Sequence, residues 1–453
     1  MIRHRGPGLH KDWSPSFLCI YNIKEVISIP ALVKIFVVFG IILILNRLHL
    51  HVALSLLIGA LVLGLWMGLG PVDLFVSARE SISRMQTISL LLIVELIMVM
   101  SSLMEKSGHM ARLVKSFTSL SRDGRTVGSV MSALIGLLPM PGGALFSAPM
   151  VEASLSEISA TNEQKSALNY WFRHLWEYWW PLYPGVILVV ALLEIKTWHF
   201  MVLMAPMTLV SVIAGLFFIL RPMGKSEDYN EGSISLSGVK RFIWEMMPIL
   251  IVIFFIAAFT GLVSILDLMG FSFKVPTLLP ILPGLIISII WVCYVNDTPL
   301  SQLKSAITSK GNLIMLFLII AVMIFKGVMG DSGAVVLIRD ELMTHKIPLI
   351  LLILIMPFLS GFILGIAVGF VGASFPLIIP LFQTPDNLEY LLFAGLAYTF
   401  GYMGMMLSPV HLCLLVNKNY FKTGLLNTYR HIIMPVLTVL ATAVLLFVII
   451  RLL

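Results

Sequence analysis

Runs of about 20 apolar residues, separated by short polar loops, recur along the whole chain after residue 30. No other feature constrains the fold as strongly. A bilayer's hydrocarbon core is about 30 Å thick and takes roughly 20 residues of helix to cross. Such runs lie near residues 31–46, 50–69, 87–104, 183–193 with its upstream flank, and 199–220. They recur near 243–266, 275–295, 312–329, 388–416 and 431–452. The expected fold is an all-α membrane protein with about ten transmembrane helices, and the lipid bilayer is its first partner. Composition agrees: 59% of the 453 residues are hydrophobic and 12% charged, too few charges to clothe a water-facing surface. The formal charge of +7 sits in loops between apolar runs, where Lys and Arg set topology, so no nucleic-acid partner is expected. Cys19, Cys293 and Cys413 are far apart in sequence and form no CxxC pair, so neither a disulfide framework nor a structural zinc site is expected. The basic first residues lead into no compact apolar segment with a small-residue cleavage site, which argues against a cleaved signal peptide.

The two series of runs can be superimposed. The one long hydrophilic stretch after the N-terminal tail, RPMGKSEDYNEGSISLSGVKR, divides the chain into a tail (1–30), a first repeat (31–220), a linker (221–241) and a second repeat (242–453). A shift of 225 lays Ser107 and Gly108 on Ser332 and Gly333, and Pro184 on Pro409; a shift of 227 lays Gly142, Ser147 and Pro149 on Gly369, Ser374 and Pro376. Each half also carries one segment interrupted by Gly and Pro, SALIGLLPMPGGALFSAPMVE and FLSGFILGIAVGFVGASFPLIIP. If each enters and leaves on one side as a re-entrant hairpin, each half crosses five times, and an odd number forces the halves into opposite orientations. That is an inverted repeat. Sixteen Lys and Arg, from Arg47 to Arg430, fall in one set of loops and seven in the other, which places the first set in the cytoplasm and both termini outside an inner membrane.

Chemistry is expected where helices break, because backbone groups freed within hydrocarbon must line a protein-buried or wet cavity. At the first tip, Pro141, Gly142 and Gly143 break the helix and leave bare amide groups beside Ser147; in the second interrupted segment Gly372 and Ser374 are the candidates. Helix N-termini at such tips suit a carboxylate, and freed carbonyls and hydroxyls suit Na⁺. The run NYWFRHLWEYWWPLYPG (169–185) sets Arg173, His174 and Glu177 among seven Trp and Tyr and ends in two prolines. Arg173 and Glu177 are four apart and would share a helical face. Such a run is either an interfacial aromatic belt or an intramembrane site, with Arg173 holding an anion and His174 or Glu177 carrying a proton. The counterpart in the second half, MLSPVHLCL, supplies Ser408 and His411. Glu95 is the acidic residue deepest in an apolar run and joins Glu177 as a candidate for ion or proton coupling; Lys326 lies close enough to a span end to snorkel.

The strings GLLPMPGGALFSAPMVEA, NYWFRHLWEYWWPLYPG and SPVHLCL closely resemble a prokaryotic integral-membrane family, domain of unknown function 401, grouped with the ion transporter superfamily. The resemblance implies two re-entrant hairpins, two broken helices and a homodimer. Dicarboxylate/sodium relatives carry Ser-Asn-Thr at the hairpin tips, where this chain has PMPGG and VGASF. The expected function is cation-coupled symport of a small organic anion by alternating access, with Na⁺ or H⁺ as coupling ion and no other cofactor. A sodium/proton antiporter is the alternative, and a channel or membrane-embedded enzyme a minor one. The chain holds no HExxH, and no enzyme is expected.

Overall fold

A computed structural model describes residues 29–118, 123–140, 143–224, 236–271, 276–382 and 388–452. Among these residues it is all α-helix, with no strand. The first ten helices are α1 Ala31–Arg47, α2 Val52–Trp66, α3 Pro71–Ser83, α4 Met85–Lys106, α5 His109–Thr118, α6 Gly124–Ile135, α7 Gly143–Ser154, α8 Asn162–Arg173, α9 Pro184–Leu193 and α10 Thr197–Gly215, which a π-turn continues to Leu220. Ten more follow: α11 Leu236–Leu268, α12 Ile281–Val295, α13 Leu300–Ile307, α14 Lys310–Asp331, α15 Ala334–Thr344, α16 Leu349–Leu364, α17 Ala367–Ile378, α18 Leu388–Met406, α19 Leu412–Tyr420 and α20 Leu425–Leu452.

Local sequence explains the boundaries. Asp123 caps α6 by accepting from the amides of Arg125 and Thr126. Thr161 and Gln164 form a capping box on α8, and Ser309 caps α14, each satisfying amides that a helix start leaves bare. Pro71 and Pro184 open α3 and α9, where a missing N–H costs nothing. Gly108 and Gly333 follow α4 and α14 with φ of +70° and +68°. The aligned Ser-Gly pairs thus end the two helices by the same left-handed turn.

Among the described residues five helical segments are long and apolar enough to cross a membrane: Met85–Lys106, Thr197–Leu220, Leu236–Leu268, Leu300–Asp331 (α13 with α14) and Leu425–Leu452. The other expected runs are shorter. α2 and α12 have 15 residues each and span about 22 Å. The run near 388–416 is not one helix, because α18 stops at Met406 and α19 begins at Leu412. The exterior is apolar, as in the outward stripe Leu54, Ile58, Leu61 and Leu65 of α2, while Arg173, His174, Glu177, Asn169, His411 and Asn417 are buried. Greasy outside and polar at the centre is the arrangement lipid demands, and the chain is an all-α membrane protein.

Packing is reciprocal between the two series. α2 lies on α14 and α12 on α4; α9 lies on α17 and α19 on α7; α5 lies on α11 and α15 on α1. α6 with α7, and α16 with α17, form two tight helix pairs. Helices α16 and α18 touch through their backbones: a Cβ on Gly361 would lie 2.0 Å from the Gly401 carbonyl, and one on Gly404 would lie 2.2 Å from that of Phe358. Small residues permit such approach. Gly404→Ala should force the pair apart and destabilise by about 1–3 kcal/mol, lowering the melting temperature in detergent; an unchanged melt would show that the interface has slack.

Candidate functional site

The centre of the molecule is built from two interruptions. α8 ends at Arg173, and residues 174–183 turn irregularly before Pro184 starts α9; α18 ends at Met406, and 407–411 turn before α19. Interrupting a helix frees the carbonyls of its last turn, and aromatic side chains take them up. Tyr402 and Tyr398 of α18 donate to the carbonyls of His174 and Glu177. In return Tyr170 of α8 donates to that of Met406 (2.9 Å), and Tyr429 to that of Leu407. At the end of α6, Trp176, Tyr183 and Trp180 donate to the carbonyls of Ala133, Gly136 and Leu137. Trp171, Trp180, Tyr170, Tyr178 and Tyr183 are buried. Most rings of the 169–185 run are therefore turned into the protein, where they close the polar backbone of the breaks.

Five ionisable or nucleophilic side chains meet there. Arg173 is 3% exposed; its Nη2 donates to the Met140 carbonyl (2.9 Å) and its Nη1 to Cys413 Sγ (3.4 Å), while its Nε has no partner. Gly143, at the start of α7, lies on this guanidinium, and a Cβ there would sit 2.4 Å from Nη2. His174 Nδ1 donates to the Tyr170 carbonyl (2.6 Å) and His411 Nδ1 to the Gly365 carbonyl (2.8 Å). The two Nε2 atoms face each other at 3.1 Å, and Glu177 Oε1 lies 3.8 Å from His174 Nε2. The rings of Tyr170, His174 and His411 meet edge to face. Gly365 ends α16 with φ +67°, a conformation open to glycine, and this turn presents its carbonyl to His411.

Arg173, His174, Glu177 and His411, singled out from sequence, thus come together. Their pairing differs from expectation: Arg173 is the last residue of α8, so the i,i+4 contact with Glu177 does not form, and Glu177 approaches His174 instead. Pro141 and Gly142 lie outside the described residues. Ser147 turns its hydroxyl onto the carbonyls of Gly143 and Ala144 in its own helix, and Ser374 does the same with Phe370. Gly372 is a packing glycine facing Val322 and Leu56. Ser408 accepts from the Val410 amide beside Gly365. Glu95 bonds Asn312 of α14 (3.2 Å), with its other oxygen unpartnered. Lys326 does not merely snorkel: it pairs with Glu194 at 2.9 Å.

Sequence reasoning missed three features. Cys413 belongs to the cluster, and its only signal was standing two residues after His411. Asn169 donates to Asn417 Oδ1 (2.7 Å) and to the Ala144 carbonyl, while accepting from Ser132, a polar tie between α8 and α19. A second node joins His109 to the Glu245 carbonyl (2.8 Å), with Arg112 bridging Glu245, His109 and Asn296.

Over residues 28–450 the chain matches the model of a family described as protein of unknown function, DUF401. The chain belongs to the DUF401 family. No curated protein matches it. The DUF401 match extends over both helix series and both breaks, so the cluster lies wholly within the family's domain.

Proposed function

We propose that this DUF401 protein is a secondary transporter that takes up a small organic anion together with a cation, Na⁺ or H⁺, by alternating access. The observation that carries the reading is Arg173: a buried guanidinium that has, among the described residues, no carboxylate in ion-pair reach and no partner for its Nε. Burying a lone cation costs several kcal/mol, and an anion bound against the open edge of its planar fork offsets that cost. The helix orders support the rest. α4–α6 and α14–α16 start 225 residues apart, at Met85 and Lys310, His109 and Ala334, Gly124 and Leu349. With the reciprocal packing, this favours two inverted repeats of five crossings, in which α6–α7 and α16–α17 are the re-entrant hairpins and the breaks after α8 and α18 meet at the midplane. On this reading the protein sits in the inner membrane as a homodimer with both termini outside, as in transporters of the ion transporter superfamily, and it is not an enzyme.

The test is a thermal-shift series on purified protein against carboxylates, sugar acids and inorganic anions, each with and without Na⁺ and at two pH values. A ligand at 100 times its Kd stabilises by about 2.7 kcal/mol, so a true substrate class raises the melt clearly. Arg173→Lys keeps the charge and loses the fork, and is expected to abolish that rise. If Na⁺ or pH alone shifts the melt and no anion does, the antiporter takes the place of the symporter.

A further inference from the structure

We propose that His174, His411 and Cys413 form a binding site for a transition-metal cation of the Zn²⁺ class. The tautomers decide it. A backbone carbonyl only accepts, so each Nδ1 that contacts one carries its ring's proton: His174 on Tyr170 and His411 on Gly365. In the neutral rings both Nε2 atoms are therefore bare lone pairs, and they point at each other across 3.1 Å. A carboxyl oxygen of Glu177 stands 3.8 Å from one of them. One ligand atom each from His174, His411 and Cys413 lie within 4.8 Å of one another, all three residues buried. Three ligand atoms, two imidazole nitrogens and a sulfur, thus converge on one point, with the Glu177 carboxyl beside them; a cation at their focus satisfies all three lone pairs at once, in place of the thiol proton.

The donor set selects the cation. Zinc bonds to imidazole nitrogen at about 2.0–2.1 Å and to thiolate at about 2.3 Å, which sets two imidazole nitrogens on one tetrahedral ion about 3.3 Å apart. The observed 3.1 Å is close to that. Anchoring Nδ1–H on a carbonyl is how metal-bound histidines are oriented. A thiolate and two imidazoles suit Zn²⁺, Co²⁺ or Cu⁺ over Mg²⁺ or Ca²⁺. Arg173 Nη1 donates to the sulfur, and its positive charge favours the thiolate that a metal ion binds. His174 lies just past the end of α8 and His411 just before α19, so the ion would tie the two helix interruptions together.

Binding is read in detergent without any transport, so this inference and the anion reading fail separately. In a Cys19→Ser/Cys293→Ser background Cys413 is the only thiol, since the chain has three cysteines. Stripped of metal and titrated with Co²⁺, that protein is expected to take up one ion per chain, with a thiolate-to-cobalt charge-transfer band and intense visible bands of a tetrahedral centre, both displaced by Zn²⁺. Adding Cys413→Ser should remove the charge-transfer band while leaving a monodisperse protein, and His411→Gln should weaken binding by at least 10-fold. No stoichiometric uptake of Co²⁺ or Zn²⁺ by the wild-type chain overturns the site and leaves a shared proton to separate the two imidazoles. Persistence of the charge-transfer band in the Cys413→Ser protein overturns it equally.

Discussion

Gly143→Val is expected to abolish anion uptake in proteoliposomes, and the anion-induced rise in melting temperature, while the protein still inserts in normal amounts. The reason is steric. The first carbon of any side chain at this position would lie 2.4 Å from Arg173 Nη2 and 3.1 Å from its Cζ and Nε. The guanidinium cannot yield without giving up Met140 or Cys413, and a charged hydrogen bond is worth about 1.5–3 kcal/mol. In a preorganised site, a displacement of about 1 Å costs on the order of 10²-fold. Gly261, in α11, has nothing within 4 Å of its virtual Cβ, so Gly261→Ala is the matched control and should behave as wild type. Uptake at the wild-type rate by Gly143→Val would remove Arg173 from the anion site.

The α16–α17 turn, which packs against the second break, should be more fragile still. Gly365→Val places a β-branched residue at φ +67°, where an ordinary residue already costs roughly 1–2 kcal/mol, and sets its Cβ 2.9 Å from Ser408 Oγ and 3.1 Å from the His411 amide. Both effects push on the turn whose carbonyl holds His411. The expected result is a lower melt and loss of Co²⁺ binding together. Gly365→Asn, which tolerates the left-handed region, should recover part of the melt and none of the lost contact geometry. A Gly365→Val protein that melts like wild type would show that the break accommodates a side chain and that His411 is not held by it.

These two glycines show what the sequence made legible. PMPGG announced a tip because adjacent prolines and glycines exceed what helix packing needs, and Gly143 proved to lie on Arg173. In the second half, Gly361, Gly365, Gly369 and Gly372 recur at near-helical spacing, which tells which residues share a face but not where a helix ends. Gly372 turned out to pack on Val322, while Gly365, with the positive φ, shapes the site. The Arg-His-Glu run was legible from its charges as the start of a buried cluster, yet its pairing was not, because i,i+4 reasoning assumes a continuous helix and this one stops at Arg173. Cys413 and the Asn169–Asn417 tie escaped because each depends on a partner some 240 residues away, which no local pattern reports. The apolar runs were legible as helix; which of them are whole helices long enough to cross a membrane was not.

The tyrosines that close the breaks carry a consequence for how the chain is made. Tyr398 and Tyr402 belong to the second half, and the carbonyls they satisfy belong to the first. When the first half leaves the ribosome, its central carbonyls at 174 and 177 have no such partner, and bare carbonyls in hydrocarbon are costly. Until α18 arrives, these two carbonyls lack the partners they have in the folded chain. The two halves of the chain thus complete each other's backbone, Tyr398 and Tyr402 on one side and Tyr170 on the other.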